Sequence, residues 1–278
     1  MENYITEPLQ YLYHYTDANA LHAILTRSEV WATQLGQMND NSEGRHVREI
    51  AKDILLELST ESGNQADREA LNEIAELVGE SRFVQRVYVF SLSENGDSLS
   101  QWRAYSPNGG FSLGINFERL KNVCLDSGWS LNQCVYDDQE KLRMIKTQIN
   151  QVIQEHNHLP GTIYENVASE IEDKIRDFET YFKHSSFSEE KEWRVIYKPN
   201  SGKSDDYGNW RVRGSSIVGY QHLNIKKALK NTLSEERVII YFSPGEHSFD
   251  RSQTLFWMLL HNGFADPKVC KSKAPYVS

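Results

Sequence analysis

The sequence predicts an α+β fold, a mixed or antiparallel sheet with helices inserted in blocks. Runs rich in β-branched and aromatic residues recur at 10–16, 86–93, 111–117, 130–136, 193–197, 209–213 and 237–242. Between them apolar positions take up helical spacing in blocks, before residue 80 and again from 138 to about 181, rather than in the strand–helix alternation of parallel sheets. At 278 residues the chain suits one domain with a helical insertion at about 138–183.

Taken in order, residues 10–16 read as a strand, and Thr16 is placed to cap a helix carrying Ala20, Leu21, Ile24 and Leu25 and ending near Ser28. Asp17 in its first turn complements the helix dipole. Val30-Trp31-Ala32 resumes an extended, buried segment, and Met38-Asn39-Asp40-Asn41-Ser42 is a loop dense in turn formers. A helix starting at Asn41 or Ser42 carries the stripe Val47, Ile50, Ile54, Leu55 and Leu58, and a second carries Leu71, Ile74, Leu77 and Val78.

Arg86 to Ser93 is the clearest strand, ended by the turn Glu94-Asn95-Gly96-Asp97. Gln101 to Tyr105 follows on a short helix or loop, and Pro107 to Gly110 turns into a strand over Phe111 to Phe117 in the same sheet. Ser130 to Tyr136 is a further candidate strand. Two long helices then run from Asp138 to about Tyr181, broken at Leu159-Pro160-Gly161. Their stripes are Leu142, Ile145, Ile149 and Ile153, then Val167, Ile171, Ile175 and Phe178. Trp193–Tyr197 and Asn209–Arg213 read as a hairpin with a long tip, Arg237–Phe242 as a central strand, Phe249–Leu260 as a helix and Lys268–Lys271 as a last strand.

A formal net charge of −9 argues against a broad footprint for nucleic acid or an anionic membrane. The obvious basic clusters are Arg211/Arg213 and Lys226/Lys227/Lys230. Three cysteines without a Cys-x-x-Cys pair signal neither a disulfide framework nor zinc, and fit a reducing cytoplasm. Neither a signal peptide nor eighteen consecutive apolar residues is visible, so the expectation is a cytoplasmic protein with no membrane partner. Glycine-rich dinucleotide loops, Walker loops, nucleophile elbows and zincin motifs are all absent. His156-Asn157-His158 is the nearest approach to metal-ligand spacing, and no metal is expected there.

Three short stretches carry candidate chemistry. His14 lies in an aromatic strand just before a helix start, where an imidazole can donate to a ligand hydroxyl while the backbone of Tyr15 and Thr16 pairs with an amide. The plainer reading is a core histidine bonded to a carbonyl. Ser91 and Ser93 share one face of a strand and leave room for a ring or ribose, unless that face simply meets water. Glu190 and Glu192 share a face if the strand begins by residue 190. One carboxylate can hold a ribose hydroxyl as a glycosidic bond breaks while the other orients or deprotonates an acceptor, and a solvated charge run is the alternative.

The His14-Tyr15-Thr16 strand, the Met38 to Glu43 loop, Phe90-Ser91-Leu92-Ser93 with Gln101-Trp102-x-x-Tyr105, Glu190-x-Glu192-Trp193-Arg194 and Ser272-x-x-Pro275-Tyr276 occur in this order. Together they resemble the bacterial domain-of-unknown-function family DUF2971. That family in turn is distantly similar to ADP-ribosyltransferases. The resemblance implies a split sheet of ADP-ribosyltransferase-like type that clamps NAD, as substrate, between three strand motifs. It implies that His14 contacts the adenosine ribose, that the backbone near Tyr15 holds the nicotinamide amide, and that Ser91 and Ser93 support the pocket. Glu192 would bind the nicotinamide ribose and Glu190 would help the acceptor, with Tyr15, Trp31, Trp102 or Tyr105 stacking on a ring. A histidine first motif beside a Glu-x-Glu third motif mixes two classes of that superfamily.

The leading expectation is an enzyme that cleaves NAD and passes ADP-ribose to protein, nucleic acid or water, in bacterial stress or phage defence. A catalytically silent nucleotide-binding or sensing module is the second reading. An RNA-directed nuclease or phosphotransferase using His14 with Arg211/Arg213 is the third, and the acidic net charge weighs against it.

Overall fold

The computed structural model describes residues 9–38, 42–80, 86–156, 163–199, 208–230, 237–245 and 247–275, with backbone alone at 42–44 and 163–164. Residues 39–41 of the Met38–Glu43 loop, His158, the turn at 159–161 and Tyr276 lie outside the described residues. The chain divides into two compact units, one of residues 1–34, 88–133 and 189–278, the other of 35–87 and 134–188. Helices expected as an insertion over about 138–183 fall in the second unit, together with those of the 35–87 segment.

In chain order the elements are β1 (Tyr11–Thr16), α1 (Ala18–Arg27), β2 (Glu29–Gln34), α2 (Ser42–Glu61), α3 (Gln65–Glu80), β3 (Tyr88–Ser93), α4 (Leu99–Tyr105), β4 (Phe111–Asn116) and α5 (Phe117–Asp126). Then come β5 (Ser130–Gln133), α6 (Asp138–Glu155), α7 (Ile163–Glu179), a 3-10 turn (Ser185–Glu190), β6 (Glu192–Tyr197), β7 (Asn209–Arg213), β8 (Ser216–Asn224), α8 (Lys226–Leu229), β9 (Ile239–Phe242), α9 (Phe249–His261) and β10 (Lys268–Lys271).

The first unit is a ten-stranded mixed sheet in the order β10-β9-β4-β1-β3-β2-β8-β7, with β6 paired to β3 and β5 to β6. Its parallel pair is β9 with β10, joined through α9, and the other pairs run antiparallel. One core holds this unit. Strand residues Leu12, Phe90, Leu113 and Ile240 pack with Leu25 of α1, Leu120 of α5 and Leu259 of α9. The fold is thus α+β with a mixed sheet, as the strand and helix patterns require.

Several local expectations change. Asp17, not Thr16, caps α1, its Oδ1 accepting from the Ala20 N–H at 2.8 Å. Thr16 is held in the strand by its pairing with Phe111. β6 pairs with β3 and β5, whereas the hairpin partner of β7 is β8, across a turn at Gly214 (φ 59°) where a side chain would be strained. The strand signal of β8 is diluted by Gly219, Gln221 and Asn224, so periodicity did not reveal it. β9 is second from one end of the sheet order, not central. Phe117 opens a helix rather than closing a strand, because the Asn116 side chain accepts from the Arg119 N–H at 3.1 Å.

In the second unit, α2, α3, α6 and α7 share a separate core that includes Val47, Ile54, Ile74, Ile149 and Ile171. Leu77 and Leu142, expected in the stripes, are 54% and 40% exposed, while Ala75 and Lys141 turn inward. Arg48 crosses this core with Glu172 at 2.9 Å, Glu179 at 2.6 Å and the Val78 carbonyl at 3.0 Å.

Candidate functional site

The sheet of the first unit forks at β3. One edge of β3 is fully taken by β6, from Tyr88↔Tyr197 to Ser93↔Glu192. Its other edge is shared: β1 meets it at Tyr13↔Ser93 and β2 at Thr33↔Val89 and Gln34↔Tyr88. Between those contacts neither β1 nor β2 pairs with β3, so this edge at Ser91 has no strand partner among the described residues. A bare carbonyl there needs a donor. His14 supplies it, Nδ1 lying 2.9 Å from the Ser91 oxygen.

That bond fixes the ring's tautomer. A carbonyl only accepts, so Nδ1 carries the proton and Nε2 presents a lone pair. Burial lowers the His14 pKa to about 4, and the Arg211 charge adds to it against the opposing effect of the Ser91 carbonyl. At neutral pH the ring is therefore uncharged, and Nε2 is able to accept a hydrogen bond and not to donate one, the reverse of the donor role expected. The ring packs against Phe90 at 4.2 Å between centroids.

A small cleft of about 50 Å³ opens at the fork, lined by Tyr13, His14, Tyr15, Ser91, Leu92, Gln101, Tyr105, Glu190 and Glu192. Tyr15 is anchored, its hydroxyl donating to the Asn95 carbonyl at 2.7 Å and accepting from the Ser98 N–H at 2.8 Å. Burial pushes the Tyr13 and Tyr15 phenols up, so both are neutral. The Ser91 hydroxyl is buried and has no hydrogen-bond partner among the described residues.

The two carboxylates reach the cleft by different means. β6 begins at Glu192, so strand alternation does not align Glu190 with it. Glu190 ends the 3-10 turn, and Lys191 takes a left-handed φ of 43° that turns the chain into the strand. Ser93 pins this corner, its hydroxyl donating to the Glu190 carbonyl at 2.7 Å and accepting from the Asn95 N–H at 3.1 Å. The Glu94 N–H adds a bond to the Lys191 carbonyl at 3.1 Å. Glu192 pairs with Arg194, two residues on along the same face, through Oε1–Nε at 3.0 Å and Oε2–Nη2 at 3.3 Å.

Of the residues expected at the site, His14, Tyr15, Ser91, Tyr105, Glu190 and Glu192 share this cleft, while Thr16, Ser93 and Trp102 are not in its lining. Thr16 ends β1 and is buried. Trp102 is 3% exposed, donating to Asp97 at 2.8 Å and meeting the Tyr15 ring edge-on at 4.7 Å. Gln101 lines the cleft instead. Helical spacing carries the signal, because Gln101 and Tyr105 are four apart and share a face of α4. Among the described residues no group of three or more His, Cys, Asp or Glu is placed to hold a metal ion. Among them, too, no helix is long and apolar enough to cross a membrane.

No curated protein and no solved structure matches the chain. The model of a family described as "Protein of unknown function (DUF2971)" matches residues 101–195, a segment that holds Gln101, Tyr105, Glu190 and Glu192 and leaves His14 and Ser91 outside it, so over this segment the chain is similar to that family.

Proposed function

We propose that the fork cleft binds a nucleotide and that the protein is an ADP-ribosyltransferase-like enzyme acting on NAD. The observation that carries this reading is the convergence of His14, Ser91 and the Glu190/Glu192 pair, from three separate stretches, on one cleft. In the reaction the bond between the nicotinamide nitrogen and ribose C1′ breaks, and nicotinamide leaves with the bonding pair as a neutral molecule. The ribose is left as an oxocarbenium ion. Glu192 holds the ribose hydroxyl and its charge offsets the cation, while Glu190 takes the proton released when an acceptor hydroxyl, amine or water adds to C1′. His14 Nε2 accepts from a hydroxyl of the adenosine ribose, and the rings of Tyr15 and Tyr105 offer faces for stacking. The acceptor is a protein, a nucleic acid or water.

The test is incubation of the purified chain with NAD, alone and with cell lysate. Nicotinamide release that is lost in Glu192→Gln is expected. Absence of nicotinamide release, of label transfer and of any NAD-induced rise in Tm together would overturn the reading.

The Glu192–Arg194 pair favours a second reading, a binding or sensing module without turnover, because both oxygens of Glu192 are already engaged by one guanidinium. That module would be stabilised by nucleotide, leave NAD intact, and keep its ligand-induced Tm shift in Glu190→Gln.

A further inference from the structure

Beside the fork lies a cluster that the proposed reaction does not use. Trp31 of β2 and Tyr220 of β8 stack at 4.4 Å between centroids. The Arg211 guanidinium lies 5.6 Å from the Trp31 ring centre and 5.8 Å from that of Tyr220, and Arg27 lies 5.7 Å from the Trp31 ring centre. Arg211 is oriented by Thr33, whose hydroxyl accepts from Nη2 at 2.8 Å. Its Nε–H, however, is buried and has no acceptor among the described residues. Among the described residues neither Arg27 nor Arg211 has a carboxylate partner.

A half-buried guanidinium with no carboxylate partner among the described residues is costly on a chain that carries 39 acidic residues. Arg213, two residues along the same face of β7, adds further positive charge, which together with burial lowers the Arg211 pKa. Thr33, which holds Arg211, pairs with Val89 of β3 two residues before Ser91, which places this cluster beside the cleft. With one N–H of Nη2 taken by Thr33, the Arg211 guanidinium keeps further N–H groups for donation, and this is the group that meets the oxygens of a phosphate.

We infer that Arg211, backed by Trp31, Tyr220 and Thr33 and assisted by Arg27, binds a phosphate or diphosphate group of the ligand whose sugar lies in the fork cleft. The inference rests on the proposed reading for the rest of the ligand. It makes the ligand a nucleoside phosphate rather than a free nucleoside.

Calorimetric titration of the full chain with ADP, pyrophosphate and adenosine at fixed ionic strength tests it. ADP is expected to bind at least tenfold more tightly than adenosine. Arg211→Gln should weaken ADP tenfold or more and change adenosine less than twofold, with Arg211→Lys recovering only part of the loss. Arg27→Gln, at an exposed position, should cost ADP about threefold and keeps the test valid if Arg211→Gln unfolds. Equal affinity for ADP and adenosine, no binding of ADP or pyrophosphate, or unchanged ADP affinity in both arginine variants would overturn the inference. Nicotinamide release that ignores Arg211→Gln would remove this site and spare the enzyme. Arg211-dependent ADP binding without NAD turnover would do the opposite.

Discussion

The Nδ1–H of His14 donates to the Ser91 carbonyl at 2.9 Å, so a side chain of β1 does for the edge of β3 what a neighbouring strand's backbone does elsewhere in the sheet. The bond is structural and at the same time sets which nitrogen faces a ligand. The plainer reading of His14 and the functional one therefore describe the same residue.

Its first consequence is a pH dependence. An unfolded histidine takes a proton near pH 6.5, whereas His14 stays neutral until about 4, so between these values the unfolded state binds the proton first. Stability is full above 6.5 and falls as pH drops towards 4, by on the order of 2 kcal/mol. Urea titrations at pH 7.5 and 4.5 should show this drop, and His14→Gln should flatten it. An equal slope in both proteins would refute the assignment.

Ser91→Ala separates binding from folding. The Oγ has no partner to lose, so removing it should change unfolding free energy by less than about 1 kcal/mol, or raise it. Affinity for the nucleotide that raises wild-type Tm should fall. A clear loss of stability with ligand affinity intact would show the hydroxyl to be structural.

Glu192 and Arg194 should be strongly coupled. Either Glu192→Gln or Arg194→Gln leaves its partner a buried charge, and each should cost about 3 kcal/mol, while the double variant costs much less than their sum. A double-mutant cycle by chemical denaturation reads this coupling. Additive losses would mean that the pair is not a unit.

Gly114 lies opposite Tyr13, and a Cβ there would stand 2.7 Å from the Tyr13 ring and 3.3 Å from the Ile239 Cβ. Gly114→Ala should therefore lower stability by about 1–3 kcal/mol and displace a ring that lines the cleft. Unchanged Tm and unchanged ligand binding would contradict the contact.

Asp97 ties three segments. Oδ1 accepts from Trp102 Nε1 at 2.8 Å and Ser272 Oγ at 2.5 Å, and Oδ2 from the Lys273 N–H at 2.6 Å. Asp97→Ala should cost about 2–4 kcal/mol, more than Ser272→Ala, and should alter tryptophan emission. Limited proteolysis should cut Asp97→Ala first near residues 272–275. Indistinguishable cleavage patterns would argue against this tether.

What the sequence made legible follows from which physics acts locally. β1, β3, α2, α6, α7 and α9 were readable because their apolar periods and turn residues sit within each segment. Strand partners were not. Trp193–Tyr197 and Asn209–Arg213 are successive runs, yet β6 chose β3 and β5, since pairing is decided by long-range packing and not by proximity in the chain. In the site, His14, Ser91 and Glu192 were singled out by residue type and spacing. Gln101 lines the cleft and Trp102 does not, because the apolar side of α4 buries the larger ring. Asp97 and Thr33 act through partners 175 and 178 residues away in sequence, which no local pattern encodes.

Lys191 separates Glu190 from Glu192 by one left-handed residue, so a single pair of backbone dihedrals sets the spacing of the two acids. Carboxylate separation decides whether such a pair works on one bond together or admits a third reactant between them. The chain therefore carries a geometric dial that touches neither acid. Replacement of Lys191 by glycine eases that left-handed φ and by valine or isoleucine opposes it, so in the proposed reaction this one exposed lysine would adjust how the two carboxylates meet without altering either.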